Sequence, residues 1–376
     1  MKKKTILFVM HEFSIGGAVR VVSHLANNLD RDKFVVHLCL FKKKGVILEE
    51  LSNDVIIHDL KAGRVLTGAY KLLFLLLDIK PDVVFTSITH VNLLVSFFIP
   101  LTRRQLPNTI FITREVNIPS IRAKYLPKSR QMDFFYKKFI KNYDYIIAQS
   151  QFMKDDILDS YHIPENKIKI INNPIDIHAI ERKIDDVRQD KGQLFRSGTI
   201  AILAVGVLRR QKGFDRLLRV VPLLGRDYHL YILGEGPERQ VLEEIIEELK
   251  IEDRVTLLGH SNNPYIYMKK ADFVVLSSRY EGFPNVILEA NACGKFVVAF
   301  ACPGVSEEII QNNLNGLLVE CGNIEKLADA IKRFPIIAKD EKKIRDTTDR
   351  YRVENVVKEY ENIFLSNAKK DADDVS

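Results

Sequence analysis

Short apolar runs alternate with segments of helical hydrophobic period along almost the whole chain, and this alternation narrows the possible folds more than any other feature. Strands are read at Thr5–Met10, Phe34–Phe41, Val55–Ile57, Asp82–Thr86, Thr109–Thr113, Asp144–Ala148 and Lys169–Ile171. A second series follows at Ile200–Val205, His229–Leu233, Arg254–Leu258, Asp272–Leu276, Lys295–Ala299 and Leu317–Val319. Helical segments between strands, the first over Ala18–Leu29, act as crossovers, so the strands run parallel in doubly wound α/β sheets. At 376 residues the chain is long for one core and predicts two domains. The polar, aperiodic segment Asp185–Ser197 is read as the linker. The division expected is 1–180, 181–345, a terminal helical segment 346–368 containing a helix over Val353–Phe364, and a polar tail 369–376.

Composition removes several classes. Cys39, Cys293, Cys302 and Cys321 are scattered without a Cys-x-x-Cys pair, which argues against structural zinc or a disulfide framework and suits a reducing cytoplasm. The basic start Met1–Lys4 leads into an apolar run that His11-Glu12 ends too early for a signal peptide. The stretches Leu72–Leu77 and Val91–Leu101 fall short of the ~20 residues that span a bilayer. Charge is uneven: residues 1–180 hold 26 Lys and Arg against 17 Asp and Glu, whereas 181–376 hold 30 against 32. A basic half fits nucleic acid, an anionic membrane or an acidic substrate, but no nucleic-acid module is present in the sequence. Asp30-Arg31-Asp32 has the form of a metal-binding Asp-x-Asp but ends the first helix, and is read as turn chemistry.

Four segments carry chemistry. In Ser277–Gly294 an apolar strand precedes, Pro284 suits a first helical turn and Gly294 a helix end. Glu281 then falls on the strand-to-helix loop and Glu289 on the helix, whose free N–H groups favour an anion such as phosphate. In Ala204–Phe214, Arg209, Arg210 and Lys212 follow a strand and offer cations for a departing phosphate. Gly16 and Gly17 stand at the first strand-to-helix turn, where glycine allows close backbone approach to a ligand and also serves any tight turn. Between Asp78 and Ser120, His90, Asn92, Arg114, Glu115 and Asn117 are polar groups beyond strand ends. Gly234-Glu235-Gly236 begins like a dinucleotide fingerprint but has Arg239 in place of the third glycine, which speaks against an NAD enzyme.

Glu281, Gly282-Phe283-Pro284 and Glu289, with Lys212 placed six residues after Gly206, resemble the signature of retaining glycosyltransferases of family 4 (glycosyl transferases group 1). The resemblance extends from Gly16 to Phe364 and includes Gly16-Gly17-Ala18, Asn173-Pro174-Ile175-Asp176 at the hinge, and Cys302–Ile309. It implies a GT-B fold: two Rossmann-like domains facing a cleft, a nucleotide sugar held mainly by the C-terminal one, and a last helix crossing back to the first. It implies further that Glu281 orients the donor sugar and Glu289 the ribose. Lys212, Arg209 or Arg210 and the backbone of Phe283, Pro284, Asn285 and Val286 would hold the diphosphate, Gly259 and His260 the base, and the Gly16-Gly17 loop would close over the donor.

The sequence departs from the family in two places. Val207 occupies a position where Arg is usual, and Arg114-Glu115-Val116-Asn117 lacks the His expected after that strand, a place His90 is a candidate to fill. Arg122–Lys141 is rich in cations and aromatics, with Met132, Phe135, Tyr136, Phe139, Ile140 and Tyr143 at helical spacing. Core packing and contact with an anionic membrane are its two readings. The expected protein is a cytoplasmic enzyme, peripheral at the inner membrane face, that moves a sugar from a UDP-linked donor to a glycan or polyprenyl diphosphate-linked acceptor in cell-surface polysaccharide synthesis, with no cofactor and no metal. An epimerase or hydrolase of the donor, and a non-catalytic nucleotide-sugar sensor, are the alternatives.

Overall fold

The computed structural model describes residues 2–14, 16–121, 130–185, 194–305, 308–334 and 340–366, apart from the side chains of Leu66 and residues 130–132. Two compact units emerge, Met1–Pro174 with Val353–Ser376, and Ile175–Arg352.

In the first unit seven parallel strands, β1 (Lys4–Met10), β2 (Phe34–Leu40), β3 (Ile56–Asp59), β4 (Val83–Thr86), β5 (Ile110–Arg114), β6 (Tyr145–Ala148) and β7 (Ile168–Ile170), run in the order β3-β2-β1-β4-β5-β6-β7. Sequence order therefore reverses between β1 and β4, which pair from Ile6 with Val83 to Val9 with Thr86. Strand residues alternate between two buried layers, as period-two side chains on a sheet covered on both faces must. Ile6, Phe8 and Met10 join one layer with α1 (Gly17–Asn28); Leu7 and Val9 join the other with α2 (Val65–Ile79), α3 (Thr89–Thr102), α4 (Arg130–Phe139) and α5 (Gln151–Tyr161).

The second unit is built from α6 (Ile177–Asp185), β8 (Ile200–Val205), α7 (Phe214–Val220), β9 (Tyr228–Leu233), α8 (Arg239–Leu249), β10 (Val255–Gly259), α9 (Pro264–Lys270), β11 (Phe273–Leu276), α10 (Asn285–Ala292), β12 (Val297–Ala301), β13 (Gly316–Glu320), α11 (Ile324–Arg333) and α12 (Glu341–Asp346). Its six strands run β10-β9-β8-β11-β12-β13 and reverse between β8 and β11. Every strand expected from the sequence is present, with no end moved by more than two residues. The largest shift is at β12, which begins at Val297 because the N–H groups of Gly294 and Lys295 close the end of α10 on Asn291 O and Ala290 O.

The domain boundaries differ from expectation. The chain passes between units at Pro174–Ile175, not at 180, and returns at Arg352–Val353, not at 346. Packing decides this: Ile177 and Ile180 are buried in the second unit's core, and Ile175 N–H donates to Tyr351 O at 2.8 Å. Asp185–Ser197 is not the passage between units, since Ile184 and Phe195 both pack on the second unit's core; residues 186–193 lie outside the described residues, as does the tail 367–376.

The last helix, α13 (Val353–Leu365), belongs to the first unit. Its Phe364 is fully buried with edge-on ring contacts to Phe8, Phe34 and Phe85, and Lys4 Nζ donates to its carbonyl at 3.0 Å. Glu361 accepts from Asp30 N–H at 2.8 Å, while Asp30 Oδ1 accepts from Asp32 N–H at 2.9 Å; Asp30-Arg31-Asp32 is thus a turn tied to this helix. Phe364→Ala is expected to destabilise the first unit by about 3–5 kcal/mol through the cavity it leaves, measured by urea denaturation.

Candidate active site

The reversal between β8 and β11 is the switch point of the second sheet, and its carboxyl edge is the place where ligands sit in doubly wound folds. One loop leaves each flanking strand. From β8 comes 206–213, ending in a tight turn over Arg210–Lys212; from β11 comes 277–284, ending at α10.

These two loops are sewn together. Arg279 N–H donates to Gln211 O at 2.7 Å, Gln211 Nε2 to Tyr280 O at 3.1 Å, and Ser277 Oγ to Lys212 O at 3.0 Å. Arg279 forms a two-pronged pair with Asp215, both N–O distances 2.7 Å, and its Nη1 also donates to Arg210 O at 2.8 Å. Gly213, with φ +65°, lies so close that a Cβ there would be 2.2 Å from Ser277 O. The result brings Lys212 Nζ to 2.7 Å from Glu281 Oε1. Glu281 is only 5% exposed; Ser278 Oγ donates to the same oxygen at 2.5 Å, and Glu281 N–H donates to Pro303 O at 2.8 Å.

Lys212 and Glu281, distant in sequence, are therefore one ion pair. Arg209 and Arg210 are exposed on the same turn and carry no ion pair among the described residues, while Val207 is 48% exposed. Glu289 is half-buried one turn into α10. Phe283 is a core residue, edge-on to Tyr351, so only its backbone is available to a ligand; Pro284 is buried and precedes the helix. Asn285 N–H already donates to Phe283 O at 3.0 Å, which takes one of the expected diphosphate donors, and Val286 is buried on α10. Gly259, with φ +77°, accepts from Gly234 N–H at 2.8 Å, joining the ends of β9 and β10; His260 is exposed and bonded to Asn262 at 3.0 Å.

In the first unit the candidates divide. Gly16 is extended, with φ 172°, and a Cβ on it would meet nothing within 4 Å, so the unit's own packing does not require glycine there; Gly17 opens α1 and is exposed. His90, in the first turn of α3, keeps an exposed edge while its ring, 5.3 Å from that of His11, is partly covered; that partial desolvation and then the neighbouring imidazole lower its pKa. It does not cap the helix; Asn92 Oδ1 accepts from Ile88 N–H at 3.1 Å instead. Asn117 is exposed. Arg114 and Glu115 are buried inside the unit rather than exposed to an acceptor, although Arg114 Nε and Glu115 Oε2 have no hydrogen-bond partner among the described residues. Arg114 donates to Ser87 Oγ at 3.2 Å and to Asn173 Oδ1 and lies beside Tyr360; Glu115 accepts from Tyr136 OH. Tyr136, Ile140 and Tyr143 are buried as the helical spacing required, but Phe135 faces outward with Phe134; residues 122–129 and the side chain of Met132 lie outside the described residues.

Sequence reasoning missed Ser278 and the Arg279–Asp215 pair. Their signal was present: each loop already singled out carries a charge opposite to one on the other. Burial pushes the Asp215 carboxyl up, but the hydrogen bonds and charge of Arg279 outweigh it and leave its pKa below the ordinary value. The sign follows: the clamp's contribution is present above the ordinary Asp range and is lost as pH falls through the lowered folded value. Asp215→Asn should therefore flatten the acid-side fall in melting temperature, read by thermal melts between pH 7 and about pH 3.

The family model for Glycosyl transferases group 1 matches residues 176–371, and that for Glycosyltransferase Family 4 matches 15–179. A Campylobacter jejuni protein, N-acetylgalactosamine-N,N'-diacetylbacillosaminyl-diphospho-undecaprenol 4-alpha-N-acetylgalactosaminyltransferase, is 32% identical over 338 residues, 86% of this chain and 88% of its own. In fold, the chain is similar to Anabaena HepE solved with UDP-glucose (TM-score 0.78, 20% identity, 96% and 99% of the two chains). It is likewise similar to the sucrose-phosphate synthase of Thermosynechococcus elongatus (TM-score 0.79, 19% identity, 96% and 98%). With its seven- and six-stranded parallel sheets, the chain has the GT-B fold and belongs to the glycosyl transferases group 1 family: it is a glycosyltransferase.

Proposed function

We propose that this enzyme transfers a sugar, with retention of anomeric configuration, from a UDP-linked donor to a lipid-linked glycan whose anchor carries a diphosphate, in cell-surface polysaccharide synthesis. The observation that carries the reading is the Lys212–Glu281 pair at the reversal of the second sheet: a cation suited to a departing diphosphate beside a carboxylate suited to sugar hydroxyls. The uridine complexes of HepE support the choice of nucleotide, and the acceptor named for the Campylobacter relative supports that of acceptor, as does the basic excess of residues 1–180.

In the proposed reaction the acceptor hydroxyl attacks the anomeric carbon on the face from which the diphosphate departs. A diphosphate oxygen takes the hydroxyl proton while the sugar passes through an oxocarbenium-like state, so no protein nucleophile is required. Lys212, with Arg209 or Arg210, the N–H of Phe283 and the start of α10, stabilises the growing negative charge without a metal. Glu281 accepts from the sugar hydroxyls and Glu289 from the ribose; Gly259 and His260 line the base. His90 and Asn117 are the exposed acceptor-side candidates. No helix among the described residues is long and apolar enough to cross a membrane. The proposed contact with an anionic membrane, at the inner face, runs through α4, where Phe134 and Phe135 are exposed beside Lys137 and Lys138.

Lys212→Ala and Glu281→Ala are each expected to lower transfer about a hundredfold or more, ~3 kcal/mol, without unfolding the second unit. The check is labelled-sugar transfer across a panel of nucleotide sugars, with circular dichroism on each variant. Wild-type turnover by either folded variant would sink the assignment, and donor consumed without acceptor labelling would make the protein a hydrolase. For the membrane face, co-sedimentation with anionic vesicles at low salt should retain the protein and should weaken as salt rises.

A further inference from the structure

Lys212 and Glu281 are assigned above to opposite ends of one donor, the cation to its diphosphate and the carboxylate to its sugar, yet in the structure they bond to each other at 2.7 Å. A carboxylate as buried as Glu281 is costly to leave without partners, and besides Lys212 Nζ its Oε1 accepts Ser278 Oγ at 2.5 Å. The backbone beneath both residues is held. Lys212 O accepts Ser277 Oγ, Gln211 O accepts Arg279 N–H, Arg279 grips Asp215, and Glu281 N–H is on Pro303 O. Gly213 pressed onto Ser277 O leaves the loops no room to slide closer. What is free to change is the partner of the Lys212 ammonium, carried on a flexible four-carbon stem.

We propose that Lys212 is handed from Glu281 to the diphosphate when donor binds, and that the donor's sugar hydroxyls take its place on Glu281. This rests on the donor-site reading above. The exchange makes and breaks only hydrogen bonds and ion pairs. Its consequence is a preference between substrate and product. The intact donor satisfies both groups; the nucleoside diphosphate left after transfer takes Lys212 but offers Glu281 nothing. Glu281 therefore competes with the product for Lys212 and drives its release, a step that sets turnover in many enzymes.

The test is calorimetric titration of the full chain with UDP, GDP and ADP, together with product inhibition of transfer. Glu281→Gln keeps the side chain's shape and removes the competing charge, so the diphosphate should bind about tenfold more tightly even as transfer falls. Ser278→Ala removes the other partner of Glu281, increases its hold on Lys212, and should move diphosphate affinity in the opposite direction. A Glu281→Gln variant that binds the diphosphate no more tightly than wild type, while wild type binds and transfers, overturns the handover alone. A wild-type protein that binds none of the three diphosphates overturns the donor site and the handover together.

Discussion

Two crossed ion pairs hold the second unit's site together: Lys212 of the β8 loop meets Glu281 of the β11 loop, and Arg279 of the β11 loop meets Asp215 just beyond the β8 loop. Each loop supplies the cation for the other's anion. Without this exchange, Arg210, Lys212 and Arg279 would bring like charges together at one edge of a sheet, where repulsion would splay the loops. The two pairs differ in consequence. Arg279 binds Asp215 through both prongs and also a backbone carbonyl, geometry that suits a fixed structural link. Lys212 is a point charge on a flexible stem, one bond from its partner, which suits a group that changes partners.

The first unit is arranged around a different constraint. Arg114, at the end of β5, is buried; burial lowers its pKa, and its two terminal nitrogens donate to Ser87 after β4 and to Asn173 beside the hinge proline, while its Nε has no hydrogen-bond partner among the described residues and the side chain lies beside Tyr360 of α13. A buried guanidinium with partners on separate segments fixes those segments to one another, because losing any one leaves a buried charge short of a hydrogen bond. The motif Asn173-Pro174-Ile175-Asp176 is thereby divided by function: Asn173 closes the first unit, while Asp176 Oδ1 accepts from Ala179 N–H at 2.7 Å and starts α6 of the second.

The sequence by itself determined the number and order of strands, the parallel doubly wound class, the loop position of Glu281 and the helical position of Glu289, because each rests on local periodicity or on a proline or glycine at an element's end. It also marked Lys212 as a cation beyond a strand. What only the tertiary structure decided is which groups meet. That Lys212 and Glu281 touch follows from β8 and β11 being neighbours at the reversal, which strand order alone does not state. That Arg114 and Glu115 are buried follows from packing around β5, where an Arg-Glu pair reads in sequence like any solvated pair of charges. The passage between units at Pro174–Ile175 was likewise decided by burial of Ile177 and Ile180, since apolar contacts, not polarity of a nearby segment, determine to which core a stretch of chain belongs.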